Sequence, residues 1–237
     1  SFTQNRLTLL VNGEKSALVK TPAMQAADVL ESKKYLFRLD QNGEGTLQLK
    51  GQYEGEVFEY FNYAEKQVKR EDQQKYVEKL MGVKRNEITD WNVIIADRNI
   101  PHAELEVESN AVSQFRNLGD LIAISLLPLK NYDLEEPEER NLPVRITKPV
   151  NKLDTIIYQL PFMATYDVEF PKAIELKNQF GKLAVKFARN ENQIVMTRTF
   201  QLNSGDYPLD DYQQFYNFIK EIKKYHRKSK IILKTRQ

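Results

Sequence analysis

The residue types that most often perform enzyme chemistry are scarce in this sequence. Its 237 residues include no cysteine and only two histidines, His102 and His226. Without cysteine there can be no thiol nucleophile, disulfide or thiolate metal site. A Ser–His–Asp triad needs a histidine as its general base. His102 precedes an alternating strand pattern and His226 lies within a run of lysine and arginine, so we interpret both as surface residues and expect no catalytic site.

Metal and cofactor sites are not indicated either. A zinc site needs several closely arranged His, Cys or carboxylate ligands, and two isolated histidines do not supply them. The densest carboxylate group near a turn is Asp206, Asp210 and Asp211. We assign it to the start of the last helix, where aspartate caps the helix and favours its dipole. No glycine-rich phosphate loop is present, and we predict no cofactor and no bound metal.

The charged segments have structural explanations. Carboxylate pairs for glycoside hydrolysis cannot be chosen among thirty-three acidic residues without geometry. We interpret the acidic stretch 135–139 as a solvated connection. The basic stretch 220–230 would complement the dipole at a helix C-terminus. The net charge of +2 and the pI of about 8.5 do not indicate a nucleic-acid partner, for which a more basic chain is typical.

One residue breaks its local pattern. Arg198 falls on the apolar side of a strand pattern formed with Ile194, Met196, Phe200 and Leu202. A buried arginine is costly unless it is paired. We therefore predict that Arg198 pairs with a carboxylate inside the sheet or at its rim. The alternative is that this face of the sheet is only partly covered there.

Hydrophobic periodicity predicts the elements of the first half. Alternating residues at 35–39 and 47–49 flank Asn42-Gly43, which is typical of a β-hairpin. A helical stripe from 56 to 82 breaks near 69–72, so two short helices are expected, with Gly82 as the C-terminal cap. From 88 to 127 the period returns to two, with a half-buried strand at 103–108 and a more deeply buried one at 120–127.

The second half is predicted to be β-rich again. Strands are expected at 154–160, 165–170, 180–188 and 193–202, with a turn at 190–192 between the last two. A final helix should run from about 208 to 227, with Phe215 in the middle of its apolar face. A short strand at 231–233 closes the pattern.

The predicted fold class is mainly β (α+β), with antiparallel sheets in β-sandwich-like subdomains, helical insertions and a C-terminal helix. We predict an extended lead-in over 1–30, a first β-rich subdomain over 31–140 with a helical insertion, and a second over 141–237 with the C-terminal helix and strand. The boundary is placed in the acidic, proline-containing stretch 130–143, whose composition is typical of a loop.

The lead-in is apolar on both sides of a turn at Asn12-Gly13. Leu9 and Val11 lie in its first apolar segment, and we expect them to belong to a contact surface. The longest apolar run, 121–129, is too short to span a bilayer. The chain shows no signal peptide and begins Ser1-Phe2-Thr3 rather than with Met, so we expect it to be part of a longer protein.

The second half resembles a known family. It is similar to the C-terminal module of unknown function that follows a transglutaminase-like core in large bacterial envelope proteins, and the first half also fits. The matching segments are, in chain order, Arg140-Asn141-Leu142-Pro143-Val144, Ile156-Ile157-Tyr158-Gln159-Leu160-Pro161, Val168-Glu169-Phe170-Pro171, Phe180-Gly181-Lys182-Leu183, Met196-Thr197-Arg198, 212–218 and Lys230-Ile231-Ile232-Leu233. The candidate structural or interaction residues of the chain are Arg198, Arg140, Leu9, Val11 and Phe215.

The resemblance implies a bacterial cell-envelope or periplasmic setting and a parent protein that is a transglutaminase-like enzyme or protease. The family's catalytic chemistry uses a Cys–His–Asp arrangement in the upstream core, and this chain lacks cysteine. We therefore expect a non-catalytic accessory module that positions the catalytic core, or its substrate, of the same parent chain. The alternatives are an independent peptide- or glycan-binding module and, least favoured, an unrecognised hydrolase.

Overall fold

The computed structural model describes residues 4–82, 86–95, 101–129, 134, 136 and 140–236. This part of the chain is mainly β. Its strands are β1 (Leu7–Leu10), β2 (Ala17–Lys20), β3 (Glu31–Leu39), β4 (Gly45–Glu54), β5 (Asn86–Ile95), β6 (His102–Ala111), β7 (Phe115–Asn117), β8 (Leu121–Ser125), β9 (Val144–Ile146), β10 (Val150–Gln159), β11 (Tyr166–Glu169), β12 (Ile174–Asn178), β13 (Gly181–Asn190), β14 (Gln193–Leu202), β15 (Gly205–Tyr207) and β16 (Lys230–Thr235). Its α-helices are α1 (Glu56–Gln67), α2 (Arg70–Met81) and α3 (Tyr212–Lys228).

An eight-stranded sheet is the frame of the molecule. Its spatial order is β12-β13-β14-β10-β3-β4-β6-β5. Neighbouring strands are antiparallel except β3 and β10, which pair in parallel from Glu31 opposite Lys152 to Arg38 opposite Gln159. The two subdomains predicted for 31–140 and 141–237 therefore share this sheet, in which they meet at the β3–β10 pair, and β8 pairs with β16 across the same boundary. A second sheet has the order β11-β16-β8-β7.

The two faces of the large sheet differ in composition. On β3, Tyr35, Phe37 and Leu39 are buried, and they alternate with exposed or half-buried residues. The same alternation on β4, β6, β10, β13 and β14 gives one continuous covered face, as expected for an antiparallel sheet that packs on one side only. The opposite face carries polar cross-strand pairs such as Lys50 and Glu106 at 2.6 Å, together with apolar residues of the central strands such as Leu36 and Leu153.

The helical insertion packs against the β4 side of the covered face. Phe61 of α1 meets the ring of Tyr53 with 4.8 Å between centroids. The buried Gln73 of α2 donates to the carbonyls of Ala64 and Val68, which satisfies acceptors at the end of α1. Gly82 ends α2 in the left-handed conformation with φ of 67°, so the predicted glycine cap is confirmed.

Helix α3 covers the other end of the same face. Its apolar stripe buries Tyr212, Phe215, Phe218, Ile219 and Ile222. Phe215 packs on Phe180 with 5.1 Å between ring centroids, and Phe180 in turn packs on Tyr207. The buried side chains of α1–α3 and of both larger sheets form one hydrophobic core. The predicted docking of this helix is confirmed.

Most predicted elements are present. The two helices at 56–82, the hairpin around Asn42-Gly43, the strand pair around 190–192 and the final helix and strand are confirmed, with small shifts at their ends. Three short strands, β9, β12 and β15, were not predicted. Much of the predicted boundary stretch, namely 130–133, 135 and 137–139, lies outside the described residues. Within the described part of the chain, no helix is long and apolar enough to cross a membrane.

Replacement of Phe215 by alanine should test the docking of α3. The Phe215→Ala variant should lose roughly 3–5 kcal/mol of the free energy of unfolding, because truncating a buried phenylalanine removes apolar contacts and leaves a cavity. The exposed Glu221 of the same helix provides the matched control, Glu221→Ala, which should stay within about 0.5 kcal/mol of the parent. Urea denaturation measures both variants. An unchanged midpoint for Phe215→Ala would show that α3 does not dock.

Candidate functional site

The β1–β2 hairpin is the most exposed apolar feature of the described chain. The two strands pair with Leu9 opposite Leu18 and form a two-stranded sheet of their own. Side chains on a strand alternate between faces, so one face presents Leu7, Leu9, Val11 and Leu18, and the other presents Leu10 and Val19. Leu9 is 58% exposed and Val11 is 78% exposed. An exposed apolar patch of this kind commonly marks a contact surface.

Hydrogen bonds hold the hairpin at its tip and at its base. In the turn, Asn12 N donates to Ser16 Oγ at 3.0 Å and Lys15 N donates to the Asn12 carbonyl at 3.0 Å. At the base, Ser204 Oγ donates to the Met24 carbonyl at 2.8 Å, and Gln4 Nε2 donates to the Thr147 carbonyl at 3.3 Å. The hairpin is thus tied to residues of the second half, while its strands carry exposed aliphatic side chains.

A buried charge network lies on the covered face of the large sheet. Arg198 on β14 stands directly opposite Asp154 on β10. Its Nε and Nη2 donate to Asp154 Oδ2 at 2.9 and 2.6 Å, and both side chains are about 5% exposed. Nη1 donates to the carbonyl of Leu127 at 2.6 Å, just after β8. The prediction that Arg198 pairs with a carboxylate inside the sheet is therefore confirmed.

The network continues across the parallel joint. Lys33 on β3 stands opposite Asp154, and Glu31 stands opposite Lys152. Glu31 bridges the two lysines, with 2.6 Å to Lys33 and 2.8 Å to Lys152. Burial alone would raise the pKa of the Glu31 carboxyl, but the charges and hydrogen bonds of the two lysines outweigh burial and lower the pKa to about 2. This carboxylate stays ionised because it compensates two cations.

Helix α2 ends on this network. Lys33 Nζ donates to the carbonyl of Leu80 at 2.7 Å, and Tyr35 Oη donates to the carbonyl of Met81 at 2.9 Å. Both acceptors belong to the last turn of α2, where carbonyls lack intrahelical partners and a cation is favourable. Burial lowers the pKa of Lys33, and Glu31 opposes that shift. The network therefore fixes the position of the helical insertion as well as the pairing of strands.

The histidines are not the surface residues that the sequence suggested. His226 is half-buried on α3, close enough to Arg198 and Asp154 for their charges to affect its pKa. Its Nδ1 lies 3.0 Å from the carbonyl of Ile222 and must carry the proton of a neutral ring, since a carbonyl only accepts. Burial and then the charge of Arg198 lower the pKa of His226 to about 4. His102 is half-buried, with Nε2 3.2 Å from Glu104 and Nδ1 3.7 Å from Glu54.

The remaining sequence candidates have structural roles. The guanidinium of Arg140 stacks on the ring of Tyr212 at 4.1 Å, and its Nε donates to the Leu142 carbonyl. Asp206 pairs with Arg145 at 2.6 Å rather than capping the helix. Asp211 occupies the N-cap position of α3 but makes no side-chain capping hydrogen bond. Among the described residues, His, Asp and Glu form no group that could hold a metal ion.

The pH dependence of stability should report the buried His226. Below pH about 6.5 the unfolded chain binds a proton at this histidine, whereas the folded chain does so only below about 4. The free energy of unfolding should therefore fall by up to about 3 kcal/mol between these pH values. Glu31 should add a second loss, which begins below about 4.5 and continues to about 2. Urea denaturation at a series of pH values measures both.

Two substitutions separate the loss of stability caused by His226 from the loss caused by Glu31. His226→Gln should remove the loss of stability between pH about 6.5 and 4.5 and leave the loss at lower pH. His102→Gln is the matched control, because this histidine lies between two carboxylates and outside the network; it should keep the loss seen in the parent chain. An unaltered pH profile in His226→Gln would contradict the burial of a neutral imidazole.

Comparison with known proteins identifies one domain. Residues 120–233 match the model of a family described as a domain of unknown function with a solved structure, DUF3858. The match includes β8 to β14, α3 and most of β16, hence Asp154 and Arg198, whereas Glu31, Lys33 and the hairpin precede it. No curated protein and no solved structure matches the chain. The matched region, from Asp120 to Leu233, is just under half of the chain and is similar to the DUF3858 family.

Proposed function

We propose that this chain is a non-catalytic accessory module that docks on a transglutaminase-like catalytic core of the same parent protein and positions that core or its substrate. The observation that carries the proposal is the β1–β2 hairpin. It presents aliphatic side chains on both faces, while its base is hydrogen-bonded to Thr147 and Ser204. A tethered apolar hairpin of this kind can transmit the orientation of one domain to another.

The energetics of the hairpin support a partner. A two-stranded hairpin is marginally stable by itself, and its exposed leucines gain free energy only when another surface covers them. Each fully covered aliphatic side chain contributes roughly 1.5–3 kcal/mol. Four of them on one face are enough for an interdomain contact, which typically buries roughly 600–1,500 Å². The Leu9 and Val11 face is the one we assign to the core.

The non-catalytic role is supported by the surroundings of the two histidines. Nδ1 of His226 hydrogen-bonds to a backbone carbonyl on a buried helix face, and His102 lies between two glutamates. The absence of cysteine from the chain excludes the thiol nucleophile that the resembling cores use. We place the parent protein in the bacterial cell envelope or periplasm, as the resemblance implies.

A second candidate function is peptide or glycan binding. It is favoured by Tyr60 and Tyr63, which lie three residues apart on α1 and are both exposed. Exposed aromatic side chains are enriched in binding surfaces. The hairpin supports core docking more directly, because its exposed apolar side chains are more numerous and cover two faces.

Charged substitutions in the hairpin should separate docking from folding. The Leu9→Glu and Val11→Glu variants should bind the catalytic core encoded in the same reading frame at least about tenfold more weakly, since each buries an unpaired carboxylate in an apolar contact. Their melting temperatures should match that of the parent chain, because both side chains are mostly exposed. Calorimetric titration and thermal unfolding measure the two effects.

The matched control is Leu118→Glu, which alters a leucine that is 67% exposed but lies outside the hairpin. This variant should bind the core as the parent does. The proposal is contradicted if the reading frame encodes no such core, or if the parent chain does not bind it. Loss of thermal stability in Leu9→Glu without any core binding by the parent would show that the hairpin completes the module's own structure instead.

A further inference from the structure

A cavity of about 730 Å³ lies between α3 and the segment that follows β8. This volume falls within the range of roughly 300–1,000 Å³ that is typical of small-ligand sites. The floor of the cavity is aliphatic and aromatic and belongs to the hydrophobic core. The floor residues are Leu126, Leu129, Phe200, Ile219 and Ile222.

The rim of the cavity is cationic. Its charged residues all come from α3 and are Lys220, Lys223, Lys224, Arg227 and Lys228. The lining residues that the structure describes include no carboxylate. Glu136 lies 3.4 Å from Lys220 and offsets its charge. Lys224, Arg227 and Lys228 carry the positive charge of the rim farther along α3.

The helix dipole does not account for this distribution of charge. Cations in the last turn of a helix complement its dipole, but the effect is confined to that turn. Lys220 and Lys223 lie one to two turns earlier, and their spacing from Lys224, Arg227 and Lys228 repeats at helical intervals along one side of α3. The result is a cationic stripe that runs beside an apolar floor.

We propose that this cavity binds a single-chain anionic amphiphile, with its hydrocarbon chain on the apolar floor and its carboxylate at the cationic rim of α3. The apolar floor favours a ligand with a hydrocarbon chain, and the cationic rim favours a negatively charged headgroup. A cationic amphiphile of the same length meets like charges at the rim and is rejected. The site lies in the region that matches the DUF3858 family and is independent of the hairpin and of core docking.

Decanoate is a suitable probe, and calorimetric titration of the whole chain measures its binding. Decanoate should bind more tightly than decanol and much more tightly than decyltrimethylammonium, which has the same chain and the opposite charge. From hexanoate through octanoate to decanoate, the affinity should rise about fourfold for each added methylene, as expected for transfer of a methylene group from water into an apolar site.

Charge reversal at the rim tests the headgroup. The double variant Lys224→Glu/Arg227→Glu should bind decanoate about tenfold more weakly. The matched control is Lys177→Glu/Lys186→Glu, which reverses two exposed lysines on the distant strands β12 and β13 and should bind decanoate as the parent does. Thermal unfolding confirms that both double variants are folded.

A substitution in the floor of the cavity tests where the hydrocarbon chain of the ligand binds. Leu129→Phe fills part of the cavity and should shorten the longest carboxylate that binds well. The proposal is overturned if decanoate and decyltrimethylammonium bind equally, if affinity does not rise with chain length, or if both double variants weaken binding equally. A further result would also overturn the proposal, namely that decanoate binds only after Glu135, Glu136, Glu138 and Glu139 are replaced by glutamine. The rim cations would then pair with the acidic stretch of the same protein rather than with a ligand.

Discussion

Buried charges must be compensated, and this requirement organises the centre of the molecule. Arg198, Asp154 and Lys33 occupy one row across β14, β10 and β3, and the neighbouring row adds Glu31 and Lys152. An unpaired buried charge costs several kcal/mol, so each strand must hold its register for these charges to meet. A slip of one residue would turn every charge on that strand to the opposite face of the sheet.

The same charges connect the layers that cover the sheet. Lys33 holds the last turn of α2 through the carbonyl of Leu80, and Arg198 holds the end of β8 through the carbonyl of Leu127. Only one of these two cations lies within the matched domain, which begins at Asp120. The parallel β3–β10 pair therefore joins the matched region to the preceding part of the chain by the Glu31–Lys152 ion pair as well as by backbone hydrogen bonds. The β1–β2 hairpin is hydrogen-bonded at its base to Thr147 and Ser204, which both lie within the matched region.

Local patterns in the sequence predicted much of this structure. The alternation around Arg198 predicted a buried, paired arginine because its neighbours at every second position are apolar. The stripe break near Lys69 and the glycine at 82 predicted two helices and a cap, since both signals are local. Leu9 and Val11 were predicted to lie at a surface, and they are exposed.

The rest depends on contacts between distant segments. Lys33 lies two residues before Tyr35 on the same side of the strand, which was a usable signal, but Glu31 and Lys152 resemble ordinary solvated strand residues until β3 and β10 are paired. His226 was assigned to the surface because its sequence neighbours are cationic. Its burial follows from the rotation of α3 on the sheet, which periodicity in a charged helical segment does not determine.

A double-mutant cycle on Arg198 and Asp154 tests the central role of the network most directly. Arg198→Met leaves Asp154 without its closest cation and should lower the free energy of unfolding by roughly 3–5 kcal/mol. Combining it with Asp154→Leu should cost less than the sum of the two single variants, by about 1–3 kcal/mol, because the pair is removed together. Urea denaturation of the parent, the two single variants and the double variant gives the coupling free energy between Arg198 and Asp154. Additive single effects, with no coupling between the two residues, would contradict the view that this ion pair organises the sheet.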